Sequence, residues 1–207
     1  SMILTIVFGV GSGVLMAVKK DRMLDHVLGT FSTVALSVPG FWIAIVLIFI
    51  FAEQWKILPS SGISDGSGFI LPAITLALPS IGVCARLTRS AILDEIGHQY
   101  MTVADAKGMS RRRAVIRHAF GNALIPIITY LGNHMAGIIG GASIVETIFA
   151  IPGIGSYAIA GVQSKDYYVV QAYVLFSGCI YVLTNILIDL IYIALDPKIR
   201  AGEAVES

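Results

Sequence analysis

The chain has 207 residues, of which 56% are hydrophobic and only 13% charged, with a mean hydropathy of +0.83 and a formal net charge of +1. Average soluble domains contain about 25% charged residues, so this composition excludes an ordinary soluble enzyme and indicates a membrane protein. The two cysteines, Cys84 and Cys179, lie far apart in apolar sequence, which argues against a disulfide framework or a zinc knuckle.

Five apolar stretches follow one another along the chain, at residues 2–18, 26–52, 69–87, 119–145 and 168–195. A bilayer needs about 20 apolar residues per span, so each stretch is long enough, and the first is the shortest. Backbone amides in hydrocarbon must bond internally, so all five are predicted to be helices. The predicted fold class is therefore an all-α membrane protein with five transmembrane helices in this chain.

The first stretch contains a run of small residues, Gly9, Gly11 and Gly13. Glycines in a membrane helix allow a neighbouring helix to approach closely. A nucleotide-binding loop would need a lysine-containing turn that opens a helix, and none follows here. The run therefore predicts helix packing.

Basic residues are confined almost entirely to alternate loops. Twelve of the 14 lysines and arginines lie in residues 19–25, 86–118 and 196–207, and the other two are Lys56 and Lys165. Cytoplasmic loops are enriched in Lys and Arg, so the loop at 91–118 and the tail at 201–207 are predicted to be cytoplasmic. The loop at 146–167 is then extracytoplasmic. Because the chain enters a span directly, we expect an N-terminal part to precede it.

The basic segment between the third and fourth stretches is the most informative. The third helix is predicted to continue past the membrane and to break at Gly97. A short helix over residues 100–107 then ends at Gly108, where a left-handed turn is cheap, and Ser110 is a plausible N-cap for the next helix. Ala104 and Gly108 lie four residues apart on one face, which gives a smooth patch for another protein. An amphipathic helix on anionic lipid fits the same composition.

Four motifs decide between these interpretations. They resemble the ABC importer permeases of the branch that carries dipeptides, oligopeptides and nickel. The motifs, in chain order, are ADAKGMSRRRAVIRHAFGNALIP (104–126), VETIFAIPGIG (145–155), DYYVVQA (166–172) and NILIDLIYIALDPKIR (185–200). The general signature of these permeases is incomplete here, since Thr102 and Val103 stand where Glu and Ala are commoner. The proline, Pro126, also falls later than usual.

The resemblance implies a coupling helix that docks on an ATP-binding subunit. It consists of Thr102, Val103, Ala104, Asp105, Ala106, Lys107, Gly108, Met109 and Ser110. The chain itself would then be non-catalytic and hold no cofactor, with ATP and Mg²⁺ on two ATP-binding subunits. A second homologous permease subunit, an extracytoplasmic solute-binding protein and the lipid bilayer are the other implied partners, and no nucleic acid is. The resemblance further implies six spans in the full subunit, a transmembrane domain over residues 1–200, and a bacterial inner membrane location with a cytoplasmic C-terminus.

Polar side chains inside spans are costly, so each needs a role. Asn133, His134, Asn185 and Asp189 are candidates for a translocation path or for interhelical hydrogen bonds, and structural bonding is favoured for the last two. His134 is either a satisfied core residue or a transient Ni²⁺ ligand, because neutral imidazole binds Ni²⁺. Nickel members of the family also look similar at GNHMAGIIGG, residues 132–141. A single histidine cannot define a metal site.

The extracytoplasmic loop supplies the candidates for an outer gate on the side of the binding protein. They are Glu146, Pro152, Gly153, Gly155 and Asp166. The resemblance implies a scoop or re-entrant element here, whereas a plain turn rich in Pro and Gly would explain the same residues.

The residues and the resemblance together predict a permease that imports nickel, another metal chelate, or di- and oligopeptides by alternating access. Within this prediction, peptide cargo is the alternative to nickel. Outside it, a secondary carrier would favour inverted repeats and intramembrane acids, of which only Asp189 lies well inside a span. A non-transporting membrane scaffold is the remaining class.

Overall fold

A break at Pro39 divides the second apolar stretch into two helices that meet at 99°. Val38 is extended, at φ −91° and ψ 124°, because the residue before a proline avoids helical geometry. Pro39 itself has no N–H to donate to a helix that continues through it. The two halves, Met23–Ser37 and Gly40–Gln54, are each about 22 Å long, less than the roughly 30 Å of hydrocarbon. The predicted span over 26–52 is therefore not one continuous helix, and it is one span only if the bent pair is counted as a single broken span.

The computed structural model describes residues 1–63, 66–97, 119–140 and 142–195. Every regular element within these ranges is helical, which confirms the all-α class. The helices are α1 (Met2–Val18), α2 (Met23–Ser37), α3 (Gly40–Gln54), α4 (Ile70–Ile96), α5 (Phe120–Ile139), α6 (Ser143–Ile148), α7 (Ile154–Gln163) and α8 (Tyr167–Leu195). The predicted coupling helix and C-terminal tail lie outside the described residues.

Several helix ends fall where the sequence predicts them. α4 continues past the predicted membrane edge to Ile96, with Gly97 as its C-cap. α8 begins at Tyr167, where Asp166 Oδ1 accepts hydrogen bonds from the N–H groups of Tyr168 and Val169 at 3.1 and 3.3 Å. The fourth stretch is shorter than predicted, because α5 ends at Ile139 and a separate short helix follows.

The number of spans is not confirmed. By length and apolar composition, two helices of the described chain qualify, Gly66–Ile96 and Tyr167–Ile191, and the bent pair α2–α3 would make a third. α1 is apolar but shorter. α5 has 20 residues but carries polar side chains at Asn122, Asn133 and His134.

α4 is the central helix. It packs against α1, α2, α3 and α5, whereas α8 lies further out, against α5 and α7. A Cβ atom on Gly13 would lie 2.5 Å from Cβ of Thr88 and 2.6 Å from the carbonyl oxygen of Ala85. Gly9 packs similarly against Cys84, whereas Gly11 faces open space. Two of the three glycines, Gly9 and Gly13, therefore allow close helix packing, as predicted, whereas Gly11 does not contribute to it.

Two buried clusters mark opposite ends of the bundle. At one end Ala17, Ile92, Ala119, Ala123 and Ile127 pack together, and at the other Ala44, Leu71, Val145 and Phe149 do. Residues 71 and 92 of α4 are separated by roughly 30 Å along the helix axis. The first cluster joins segments predicted to be near the cytoplasm, and the second joins the predicted extracytoplasmic loops.

Large apolar side chains cover the outside of the molecule. Phe31, Trp42 and Leu187 are each about half exposed, at 52%, 53% and 53%. Soluble proteins rarely expose continuous apolar surfaces of this kind. The surface suits contact with lipid or with other membrane helices.

Candidate functional site

The two chain segments that flank the predicted coupling helix pack against each other. α4 ends at Ile96 and the chain is described again from Ala119, and both flanks contribute to the same buried cluster. Asn122 Nδ2 also donates a 3.0 Å hydrogen bond to Glu95 Oε2 across the gap. The nine predicted docking residues, 102–110, lie outside the described residues, so their role stays a prediction.

A bidentate ion pair joins α2 to α4 near the same end. Arg89 Nε donates to Asp25 Oδ1 at 2.7 Å, and Arg89 Nη2 donates to Asp25 Oδ2 at 2.8 Å. The N–H of Asp21 donates to Asp25 Oδ2 at 3.0 Å. The carboxylate is buried, with 5% side-chain exposure, against 32% for the guanidinium. The pair clamps the entry of the bent α2–α3 segment onto the central helix.

Ser80, Tyr130 and His134 form a polar junction between α4 and α5. The Ser80 hydroxyl lies 3.3 Å from His134 Nδ1 and 3.1 Å from the Leu76 carbonyl oxygen. Tyr130 donates its hydroxyl to the carbonyl oxygen of Ser80 at 3.1 Å. The tyrosine and histidine rings are parallel, with centroids 6.0 Å apart. Because Ser80 has one proton to donate, its choice of acceptor sets the tautomer of His134.

His134 has one nitrogen that the described chain does not satisfy. Nε2 is buried and has no hydrogen-bond partner among the described residues. No group of three or more His, Cys, Asp or Glu side chains that could hold a metal occurs in that part of the chain either. The imidazole thus contacts Ser80 through Nδ1, whereas its buried Nε2 has no partner among the described residues.

The remaining intramembrane candidates do not converge on His134. Asn133 is exposed beside it, and Asn185 and Asp189 are exposed on α8. The face of α8 that packs on α5 instead uses Thr184 and Ile188, with Ile188 against Gly132. The interhelical bonding predicted for Asn185 and Asp189 is therefore not made within the described chain.

Glu146 organises the predicted outer gate. Its Oε1 accepts the N–H of Ala142 at 3.1 Å, and its Oε2 accepts the N–H of Ser156 at 2.8 Å. The Glu146 carboxylate thereby ties the start of α6 to the first turn of α7. A Cβ atom on Gly153 would meet this carboxylate, so a larger residue there would displace the Glu146 side chain.

The rest of the predicted gate belongs to the same connection. Gly155 packs against Ser143, whose Cα would lie 2.7 Å from an added Cβ. Pro152 lies in the turn between α6 and α7, while Asp166 caps α8 on the other side of α7. This connection therefore contains two short helices that Glu146 links by hydrogen bonds, and its role as an outer gate or scoop stays a prediction.

Comparison with known proteins decides the family. The profile of the family described as "Binding-protein-dependent transport system inner membrane component" matches residues 9–201. The chain belongs to this family. The sequence resemblance to ABC importer permeases is thereby confirmed.

Two curated relatives of this family member are informative. A probable peptide ABC transporter permease protein, y4tP of Sinorhizobium fredii, is 39% identical over 97% of this chain and 66% of its own length. The glutathione transport system permease protein GsiC of Escherichia coli (strain K12) is 34% identical over 97% of this chain and 65% of its own length. The chain thus spans a little under two thirds of each relative.

A solved structure shares the fold of this inner membrane component. A chain of the MetNI methionine ABC transporter, in inward-facing conformations, superposes with a TM-score of 0.74 and 16% identity. The match covers 94% of this chain and 89% of that one. At this identity the likeness concerns the fold alone.

Sequence reasoning missed the partners of the polar residues in this inner membrane component. Neither Ser80 nor the pairing of Arg89 with Asp25 was predicted, although an intramembrane histidine and a buried carboxylate both require a partner. The partners are 54 and 64 residues away, respectively. The sequence indicates only that a buried polar side chain needs a hydrogen-bond or charge partner, and it does not indicate which residue that partner is.

Proposed function

We propose that this chain is the membrane-spanning permease subunit of an ATP-driven importer that receives short peptides from an extracytoplasmic binding protein. The observation that carries the proposal is membership of the inner membrane component family over residues 9–201. The two relatives named above are a probable peptide permease and a glutathione permease, and both cargoes contain peptide bonds. Peptide cargo is therefore favoured over nickel, and an importer over a secondary carrier or a scaffold.

ATP hydrolysis is assigned to two partner subunits that dock on residues 102–110. The packing of both flanks supports this assignment. Ala17, Ile92 and Ala119 share one buried cluster. A displacement of residues 102–110 by the ATP-binding subunits would therefore move α1, α4 and α5 together. Interiors packed in this way move as units and not by gradual deformation. Such a unit, biased by the ATP-binding subunits inside and the binding protein outside, is what alternating access between two states requires.

The outer helix pair α6–α7 is assigned to the side of the binding protein. Glu146 fixes the two helices through backbone N–H groups, so the surface they present is preorganised. Preorganised surfaces lose less entropy on binding. The second homologous permease subunit would complete the path between the two sides.

Nickel is the second candidate, because of His134. Its buried Nε2 lacks a partner in the described chain, and imidazole nitrogen is a good ligand for Ni²⁺. One imidazole alone would bind only weakly, which suits a path that releases its cargo. The same geometry also fits a packing role at the junction with Ser80.

The test uses the full-length permease, purified with its neighbouring subunits in lipid vesicles. ATP hydrolysis is measured with the binding protein loaded with a dipeptide or with a Ni²⁺ chelate. We expect stimulation by the dipeptide. If the ATP-binding subunits are not retained, the importer function is wrong.

Two variants then separate the roles of His134. His134→Ala removes the imidazole, whereas Ser80→Ala keeps the imidazole and removes its 3.3 Å contact. If His134 is a packing residue, the two variants should lose similar amounts of stimulated ATP hydrolysis, whichever cargo is loaded. Stimulation by nickel alone, lost only in His134→Ala, would replace peptide by metal as the cargo.

A further inference from the structure

An open cavity lies between α1, α2 and α4, at the end of the bundle that holds the ion pair of Arg89 with Asp25. Its volume is about 470 Å³. The lining side chains that carry a charge or a hydrogen-bonding group are Asp25, His26, Thr30, Thr33, Arg86 and Arg89. Because His26, Thr30 and Arg86 are exposed, a molecule from outside the bundle can reach this cavity.

The cavity carries a positive charge that the described residues do not balance. Arg89 is paired with Asp25, whereas Arg86 makes no hydrogen bond or ion pair to a described side chain. The turn at 19–22, of sequence KKDR, adds three basic residues and one acidic one. The N–H of Asp21 in this turn donates to Asp25, which places the turn at the cavity. A positively charged recess with arginine donors favours an anion, and above all a phosphate.

The face of α2 beside the cavity is apolar. A helix turns by about 100° per residue, so the cavity-lining positions from His26 to Thr33 fall on one face. The neighbouring face consists of large exposed apolar side chains, namely Met23, Val27, Phe31 and Val34. The packed face, with Asp25 and Ala35 buried, lies on the remaining side. The cavity therefore borders a surface that suits lipid as well as the packed interior.

This apolar face leads to a second cavity, inside the bend at Pro39. It has a volume of about 210 Å³ and is lined by apolar side chains of α2, α3 and α4, among them Phe31, Val34, Trp42 and Leu78. His26 and Val34 are about 12 Å apart along the axis of α2, less than the roughly 15 Å of hydrocarbon in one leaflet. A charged recess and an apolar recess are thus joined by an apolar surface within the depth of one leaflet.

We propose that the cavity at Arg86 binds the phosphate of a phospholipid with net negative charge, and that one acyl chain of this lipid follows Val27 to the cavity at Pro39. Basic pockets between membrane helices on the cytoplasmic side bind acidic headgroups, and this end of the bundle carries the basic loops predicted to be cytoplasmic. A free phosphate ion or a carboxylate would pair with Arg86 but would leave the apolar cavity unused. The lipid fits both recesses.

The headgroup is tested in the transporter purified with its neighbouring subunits in detergent. Phosphatidylglycerol is titrated in, and native mass spectrometry measures the apparent Kd of the first bound lipid. We expect Arg86→Ala to weaken binding about tenfold, because charge-assisted hydrogen bonds to the phosphate are lost. Lys20→Ala removes one cation from the same end but outside the cavity lining, and should weaken binding less than about twofold. Circular dichroism of each variant checks that the fold is kept.

A second pair of variants separates a lipid from a free phosphate. Val34→Trp fills the apolar cavity, and Val174→Trp on α8 is the matched control, since the two valines are 56% and 61% exposed. We expect Val34→Trp alone to weaken binding of phosphatidylglycerol, at least about threefold. If excess inorganic phosphate displaces the lipid and Val34→Trp binds it as wild type does, the site takes free phosphate and the lipid assignment fails.

Two further outcomes of the titration would overturn the proposal. Equal weakening in Arg86→Ala and Lys20→Ala would show that general surface charge, and not the cavity, attracts the lipid. Binding to Arg86→Ala as tight as to wild type would show that the phosphate does not contact Arg86, as expected if a carboxylate of a partner subunit or of the cargo fills the cavity. Neither outcome depends on whether the chain belongs to an importer, since lipid binding is measured without ATP hydrolysis.

Discussion

Arg86 and Arg89 lie one helical turn apart on α4, yet their surroundings differ. Arg89 makes two hydrogen bonds to a buried carboxylate, whereas Arg86 is exposed and makes none to the described side chains. Charge-assisted bidentate pairs are among the stronger polar contacts, and they become more valuable when one partner is buried. Both arginines lie close to residue 87, where the third apolar stretch ends, but among the described residues only Arg89 of the two has a side-chain partner.

This difference gives a prediction with an internal control. Arg89→Ala strands the carboxylate of Asp25 and should lower the free energy of unfolding in detergent by about 2 kcal/mol. Arg89→Lys keeps the positive charge but cannot make two parallel hydrogen bonds to the carboxylate, so the decrease in the free energy of unfolding should be intermediate. Arg86→Ala should change the value by less than about 0.5 kcal/mol. Denaturant titration followed by circular dichroism measures all three, and equal losses for Arg86→Ala and Arg89→Ala would contradict the assignment.

Glu146 supports a second prediction at this scale. Glu146→Gln keeps the shape of the side chain but removes the negative charge that accepts the N–H groups of Ala142 and Ser156. Hydrogen bonds to a charged acceptor contribute about 1.5–3 kcal/mol each, and neutral ones about half of that. We expect faster proteolysis of the α6–α7 connection in Glu146→Gln than in wild type. Unchanged cleavage there would show that the carboxylate does not hold the two helices.

At the scale of elements, the sequence predicts where helices exist better than how they bend. Gly97 ends α4 where the sequence predicts a break, because the residues that end a helix act locally, whereas the capping of α8 by Asp166 was not predicted. The 99° bend at Pro39 is missed because the largely apolar stretch at 26–52 is long enough to look like one span, although the proline was visible. The junction of Ser80 with His134 could not be predicted, since it depends on which helices become neighbours.

Packing of α1 on α4 gives a matched test at this scale. Gly13→Ala places a methyl group against Thr88 and Ala85, whereas Gly11→Ala, two residues earlier, meets nothing within 4 Å. Overpacking costs about 1–3 kcal/mol, and alanine in an open helical position stabilises by up to about 1 kcal/mol over glycine. We therefore expect Gly13→Ala to lower the thermal midpoint in detergent and Gly11→Ala to maintain or raise it. The reverse order would show that the two helices are not packed at Gly13.

For the whole molecule, the arrangement of its two ends is the central feature. Segments 17–25, 89–97 and 119–127 meet at one end, and the extracytoplasmic candidates meet at the other. α4 extends from Leu71 in one cluster to Ile92 in the other and so connects the two directly. Coupling between distant sites needs such a continuous rigid element with two arrangements. The bent pair α2–α3, clamped to α4 by Asp25, is the element whose geometry the sequence least anticipated.

Residues 102–110 carry the last prediction, which rests on the sequence pattern. In a helix, Ala104 and Gly108 share one face, while Ala106 lies about 200° around from Ala104. Ala104→Glu should therefore place a charge in the contact with the ATP-binding subunit and weaken its retention at least about tenfold, which equals about 1.4 kcal/mol. Ala106→Glu adds the same charge to the opposite face and should leave retention near wild type. Retention is measured by co-purification at fixed salt, alongside binding-protein-stimulated ATP hydrolysis. If both variants lose the ATP-binding subunits equally, general charge and not a docked face explains the result, and the coupling-helix assignment fails.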